Sequence, residues 1–294
     1  MNPDELPFKQ VDVFTEVPFM GNPVAVILEA DHLSTNQMQA IANWTNLSET
    51  TFVCKPSSEE ADYRLRIFTP RMELPFAGHP TLGSAWALME SGLTTKAPGF
   101  LVQECEKGPI TLRAENGRLF FELPEPAFLE TAELVPAAIA ALGIGDDHIK
   151  LASLVEVGPV WLTLQLPTVA SVLALRPDMG QLSRLEEAVG ITLFALGEHG
   201  EIEVRSFAPA AGVPEDPVCG SGNGSVAALI RRHRLLPATS YLAFQGRCVG
   251  RDGRVEVRFE NDRIWLGGSA VTCVEGRMKT KPSSNAEALK ERHT

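Results

Sequence analysis

Four side chains in this sequence have both the chemistry to carry a proton and a setting that invites it: Glu49, His79, Asp216 and Cys219. Glu49 lies in Asn46-Leu47-Ser48-Glu49-Thr50-Thr51-Phe52-Val53, at the mouth of an apolar strand. Partial desolvation there would raise a carboxyl pKa toward neutrality, where it can accept and return a proton. His79 follows Gly78 at the start of an apolar helical run, a position that favours the neutral imidazole. Asp216 sits in Pro214-Glu215-Asp216-Pro217, shortly before Gly220. Cys219 directly precedes Gly220, and a thiol ahead of a helix N-terminus is expected to have a lowered pKa and to be able to act as a base. Each also has an ordinary structural alternative. These are an exposed strand-end Glu, a packed core His, an Asp that forms a turn beside Pro, and a Cys that serves as a small buried hydrophobe.

These residues cluster around two glycine turns that occupy matching places in the two halves of the chain. The first half reads Arg66-Ile67-Phe68-Thr69-Pro70, then Ala77-Gly78-His79-Pro80-Thr81-Leu82-Gly83-Ser84. The second reads Arg205-Ser206-Phe207-Ala208-Pro209, then Cys219-Gly220-Ser221-Gly222-Asn223-Gly224-Ser225. Farther on, Leu112-Arg113-Ala114-Glu115-Asn116-Gly117-Arg118-Leu119-Phe120 matches Val257-Arg258-Phe259-Glu260-Asn261-Asp262-Arg263-Ile264-Trp265. The order is collinear and the spacing drifts slowly, as expected of a duplicated domain with loop insertions. Each turn opens a helix, and a helix start carries roughly +0.5 charge on free backbone N–H groups. Two such starts across one cleft would grip a carboxylate or a developing oxyanion. Gly78, Gly220, Ser221 and Cys219 are therefore the candidate substrate-binding positions. Glycine-rich helix starts also simply permit close packing, which is the alternative for either turn alone.

Composition narrows the class. The chain has 294 residues, 44% of them hydrophobic, enough for two cores of ordinary domain size. The net charge is −11, with no basic run interleaved with aromatics, so no nucleic-acid partner is expected. The five cysteines (54, 105, 219, 248 and 273) are odd in number and contain no CxxC pair, which argues against a disulfide framework or a zinc site. No stretch of about 18 apolar residues suggests a membrane span, and the first twenty residues lack a signal-peptide core. A cytoplasmic location is expected. Gly220-Ser221-Gly222-Asn223-Gly224 is not a dinucleotide fingerprint, since Ser225 occupies the third glycine position, and no Walker lysine or GxSxG elbow is present.

The positioning elements read as strands near 8–14, 24–28, 50–54, 63–68, 100–105, 109–114 and 118–123 in the first half. In the second half they read near 149–157, 160–164, 201–207, 240–247, 254–259 and 263–267. A helix capped by Ser34 or Thr35 runs to about Asn43, and another runs from His79 to about Ser91. A third lies near 181–189 and ends at Gly190, followed after strand 201–207 by a long loop and a helix from Ser221. The helices after His79 and Ser221 are apolar nearly all round, which predicts full burial. Trp44, Cys54 and Trp161 read as core. The expected division is a domain over 1–127, a second over 128–278 whose last strand can return to the first, and a polar tail over 279–294. Pro124-Glu125-Pro126 reads as the linker.

Several segments together resemble the phenazine-biosynthesis PhzF-like isomerase family, across about 8–275. They are Asp12-Val13-Phe14-Thr15, Gly21-Asn22-Pro23-Val24-Ala25-Val26, Asn46-Leu47-Ser48-Glu49-Thr50, Phe76-Ala77-Gly78-His79-Pro80-Thr81, and Pro214-Glu215-Asp216-Pro217 with Gly220-Ser221. The resemblance implies an α+β fold like that of diaminopimelate epimerase. It has two pseudo-symmetric domains, each a mostly antiparallel sheet wrapped around a central helix. It further implies catalysis by Glu49, with His79, Asp216 and Ser221 holding substrate or assisting, no metal or cofactor, a small anionic metabolite as substrate, and a homodimer. Cys219 departs from the family pattern. The equivalent cysteine is an acid–base catalyst in related epimerases, whereas Ala77 removes the second thiol that proline racemases use. The expected function is thus a cofactor-independent isomerase. A one-thiol amino or imino acid epimerase or dehydratase, and a catalytically silent binding protein, are the alternatives.

Overall fold

The computed structural model describes residues 5–280 apart from 132, 186 and 199, so most of the expected tail lies outside the described residues. The first half runs β1 (Glu5–Val13), β2 (Asn22–Ile27), α1 (Thr35–Thr45), β3 (Thr50–Cys54), β4 (Tyr63–Phe68), β5 (Glu73–Leu74), α2 (Gly78–Glu90), β6 (Phe100–Cys105), β7 (Gly108–Glu115) and β8 (Arg118–Glu122). β9 (Ala127–Leu129) and α3 (Leu134–Leu142) lead onward. The second half runs β10 (Leu151–Glu156), β11 (Val160–Gln165), α4 (Val169–Ala174), α5 (Met179–Leu182), β12 (Gly190–Leu196), β13 (Ile202–Ala208) and β14 (Val213–Asp216). It continues through α6 (Gly220–His233), β15 (Ser240–Gln245), β16 (Gly253–Glu260), β17 (Arg263–Gly268) and β18 (Ala270–Lys279).

Strand pairing repeats between the halves. β1 is antiparallel to β2, β2 parallel to β3, β3 antiparallel to β4, and β4 parallel to β6. In the same way β10 is antiparallel to β11, β11 parallel to β12, β12 antiparallel to β13, and β13 parallel to β15. The duplication seen in sequence is therefore a duplication of topology. Three ladders join the halves. β8 pairs with β17, β9 crosses to β10, and β18 returns along the whole of β1. The expected α+β fold with a mostly antiparallel sheet around a central helix is what the chain adopts.

Each central helix is buried because little of its surface is polar. Gly78 through Ala85 of α2 are all buried, as are Gly222 through Ile230 of α6. Their few hydroxyls are satisfied internally. Ser84 Oγ donates to Thr51 Oγ1 at 2.8 Å, and Thr163 Oγ1 donates to Ser225 Oγ at 2.7 Å. Among the described residues no helix is long and apolar enough to cross a membrane.

Four expectations need correction. The expected helix near 181–189 does not run to Gly190: the helix ends at Leu182. Asp178 caps the single turn of α5, and Gly190 instead opens β12, whose apolar run lies between two paired strands. A short apolar run has no period that separates a buried strand from the end of a helix. The loop after strand 201–207 contains β14, which the two prolines disguise. α3 and α4 were not anticipated, and Pro136 in the first turn of α3 is tolerated there. Trp44 is 78% exposed rather than core, because α1 turns Met38 and Ala42 inward instead.

Leu82 and Leu229 sit at the centres of the two helices and are 1% and 0% exposed. Replacing either with Ala should destabilise the protein by about 2–5 kcal/mol in urea unfolding. Trp44→Ala should stay within about 0.5 kcal/mol of the parent, as surface substitutions usually do. A large loss at Trp44 would contradict this packing.

Candidate active site

The two helix starts do more than face each other: they touch. A β-carbon built on Gly220 would lie 3.2 Å from the His79 backbone nitrogen and 3.5 Å from Gly78 Cα. A β-carbon on Gly78 would lie 2.7 Å from Phe121 Cζ. Both positions therefore require glycine for close approach. Ala77 provides no side-chain cap for α2. For α6, Cys219 Sγ accepts from Gly222 N at 3.2 Å. The N–H groups of Gly78, His79, Gly220 and Ser221 find no acceptor among the described residues. Four free donors thus converge where the halves meet.

The structure brings Glu49, His79, Asp216, Cys219 and Ser221 together around these donors. Glu49 precedes the first residue of β3, and its side chain is 16% exposed. Its Oε2 lies 3.3 Å from His79 Nε2, and both of these buried atoms lack a hydrogen-bond partner among the described residues. Burial, assisted by the negative field of Asp216, raises the Glu49 pKa to about 7 against an opposing hydrogen bond from Ser48. The desolvated carboxylate expected from the sequence is present. His79 is 5% exposed, and burial holds its imidazole pKa down to about 3, although its ring hydrogen-bonds the Pro23 carbonyl. The imidazole is therefore neutral at pH 7, as expected, with burial as the main cause.

Asp216 is raised to about 6 by burial, which outweighs hydrogen bonds from Cys219 and Val218 N. Two carboxyls with raised pKa values in one site cannot both ionise freely near neutrality. Cys219 corrects the expectation of a lowered pKa. It is 4% exposed, and burial followed by the Asp216 charge pushes its thiol well above the ordinary value. The helix start is outweighed because the sulfur is walled off from water, so the thiol is protonated at neutral pH. Its Sγ lies 3.6 Å from Ser221 Oγ.

Three positioning residues escaped the sequence reading. Asn22 Nδ2 donates to Asp216 Oδ1 at 2.9 Å and to the Val218 carbonyl at 3.0 Å, and lies 3.4 Å from His79 Nδ1. One amide thus ties β2 of the first half to the carboxylate of the second. Gln245 accepts from Cys219 N at 3.1 Å and from Asn223 Nδ2 at 2.8 Å, and donates to the Asp216 carbonyl at 3.0 Å. Trp161, correctly read as buried, also donates from Nε1 to Ser221 Oγ at 3.0 Å. Asn22 stood in the quoted Gly21-Asn22-Pro23 segment, the only signal available for any of the three. Among the described residues no group of three or more His, Cys, Asp and Glu side chains is arranged to hold a metal.

A family model described as phenazine biosynthesis-like protein matches residues 11–276. Antisense-enhancing sequence 1 of Schizosaccharomyces pombe is 43% identical over 290 residues, 92% of this chain and 97% of that protein. The trans-2,3-dihydro-3-hydroxyanthranilate isomerase of Pseudomonas aeruginosa is 36% identical over 279 residues, covering 91% and 97% of the two chains. Among solved structures, a PhzF-family phenazine biosynthesis protein of Bacillus anthracis superposes with a TM-score of 0.80 at 27% identity, over 93% of this chain and 99% of that one. A hydroxyproline epimerase of Agrobacterium vitis shares the fold, with a TM-score of 0.63 at 11% identity, over 96% and 95% of the chains. The duplicated sheets, the meeting helix starts and the match over residues 11–276 place this chain in the phenazine biosynthesis-like (PhzC-PhzF) family.

Proposed function

We propose that the protein is a cofactor-independent isomerase that moves a proton between two carbons of a small carboxylate-bearing metabolite. The observation that carries this reading is the Glu49 carboxyl, raised to about 7 and set 3.3 Å from a neutral His79 beside four unpaired helix-start donors. The named isomerase activity of the Pseudomonas aeruginosa relative supports the reaction class.

The steps balance without an outside reactant. Gly78, His79, Gly220 and Ser221 hold the substrate carboxylate through their N–H groups. Glu49, as carboxylate, takes a proton from a substrate carbon, and the C–H electron pair spreads into the adjoining unsaturated system toward that carboxylate. The helix starts stabilise the charge that develops there. Protonated Glu49 then returns the proton to a different carbon. His79 holds the Glu49 carboxyl in place, and Asp216 keeps its pKa high. Asn22 holds Asp216, and Cys219 packs with Ser221 at the second helix start. The units 1–127 and 128–278 each contribute one helix start. An epimerase using Cys219 is disfavoured by its buried, high-pKa thiol and by Ala77 at the matching place. The unbridged cysteines suit a reducing cytoplasm, and the expected assembly is a homodimer.

Glu49→Gln keeps the shape and removes the base, so turnover should fall by roughly 10²–10⁴-fold, the usual worth of a general acid–base group. Cys219→Ala should cost much less. Both effects can be followed as hydrogen exchange at substrate carbon in deuterated water across candidate acids. Exchange lost in Cys219→Ala but kept in Glu49→Gln would promote the epimerase or dehydratase reading.

The helix starts have a separate test. Gly220→Val would push a side chain against the His79 N–H and should weaken carboxylate binding at least about tenfold by calorimetry, since each charge-assisted hydrogen bond contributes about 1.5–3 kcal/mol. Unchanged affinity in folded protein would place the anion elsewhere.

A further inference from the structure

Arg71 stands apart from the other charged residues around the site. It is exposed and lies at the tip of the turn Thr69–Met72, between β4 and β5. That turn is held firmly. Thr69 Oγ1 donates to the Met72 carbonyl at 3.1 Å and accepts from Arg71 N and Met72 N at 3.1 and 3.0 Å. From α1, Gln39 donates to the Thr69 carbonyl at 2.9 Å and Asn43 to the Pro70 carbonyl at 3.1 Å. The backbone is thus fixed while the guanidinium has no acidic partner among the described residues. The nearby acids are already taken. Glu73 pairs with Arg66, and Glu215 pairs with Arg205.

Strand register places this turn at the site. Thr50 pairs with Phe68, so extending the ladder by one residue sets Glu49 beside Thr69. In the other half Ser206 pairs with Asp216 and Ala208 with Val213, so the turn Pro209–Gly212 caps the strands that present Asp216. Arg71 extends toward the second turn. Its Nη2 lies 4.0 Å from where a Gly212 β-carbon would be. The duplication sharpens the contrast. With Phe68-Thr69-Pro70 matched to Phe207-Ala208-Pro209, Arg71 falls opposite Ala210. Both helix starts offer similar backbone donors to a carboxylate, so telling the two ends of a charged substrate apart calls for a charge difference among the side chains around them. Arg71 supplies that difference.

We infer that Arg71 is a specificity residue that binds a second carboxylate of the substrate, making the substrate a dicarboxylate. This rests on the proposed function, in which the first carboxylate occupies the helix starts. The planar guanidinium suits the role because it offers two parallel N–H donors to a carboxylate. An unpaired cation at the rim of a chain with net charge −11 also provides a local attraction for a dianion that the rest of the surface repels.

Calorimetry on the full-length protein tests this with matched probes: succinate, glutarate and adipate against butanoate, pentanoate and hexanoate. The parent should bind at least one dicarboxylate more tightly than its monocarboxylate counterpart. Arg71→Gln should weaken that dicarboxylate by about 10-fold or more and leave the monocarboxylate within twofold, with Arg71→Lys in between. Equal binding of the two series by the parent, or equal losses in Arg71→Gln, would overturn the inference. Gly220→Val separates the two proposals. If it weakens both series while Arg71→Gln changes neither, the helix-start site stands and the Arg71 assignment falls. If none of the six acids binds the parent, both fall.

Discussion

The structure depends on an unfavourable meeting: the positive ends of two buried helices in van der Waals contact. α2 and α6 both point their unpaired N–H groups at the seam, with Gly220 against the backbone of His79. Two partial positive charges brought together in a low-dielectric setting repel each other, and burying donors without an acceptor costs free energy. Nothing in the packing of either half requires this arrangement. It is stable because each helix is gripped by its own sheet and because three ladders, β8–β17, β9–β10 and β18–β1, lock the halves together. In the proposed function these helix ends receive the negative charge of the substrate.

Burial at the same seam accounts for the carboxyls. Glu49 and Asp216 approach the seam from opposite halves, and both are pushed upward in pKa by burial. Among the described residues neither has a cationic side chain as partner. Asp216 is held by amide and backbone donors, from Asn22 and Val218, and Glu49 faces a neutral imidazole. This keeps a proton available near neutral pH, where a salt bridge would instead have fixed the carboxyls as spectators. The duplicated frame carries different side chains at matched places: His79 against Ser221, Ala77 against Cys219. In the proposed function this asymmetry separates a proton-handling side from a side that mainly holds.

Much of this was legible in the sequence, and the exceptions have physical causes. β4 and β6 fall at the boundaries read from alternation, because exposed or half-buried residues alternate with buried ones along each, and β3, buried on both faces, is marked by its β-branched and aromatic residues. The burial of both central helices followed from their lack of a polar face. β12 has no sequence signal because a strand buried on both faces shows no period, and β14 is hidden by its prolines. The catalytic candidates converge as the repeat implied. Asn22 and Gln245 could not be identified by local reasoning. Asn22 acts on Asp216 from 194 residues away in sequence, and Gln245 acts on Cys219 across 26. The Cys219 pKa was misjudged because a sequence shows the helix start but not the wall of side chains that excludes water.

The central claim is that Glu49 is a protonatable carboxyl poised near neutrality by burial and by Asp216. Carbon-13 NMR of selectively labelled glutamate, with Glu49→Gln to assign the signal, measures this directly. The account predicts a Glu49 carboxyl titrating with a midpoint near pH 7. Asp216→Asn removes a neighbouring negative charge, so it should lower that midpoint. A Glu49 signal titrating between about pH 4 and 5, the range of an unperturbed carboxyl, and indifferent to Asp216→Asn would contradict it.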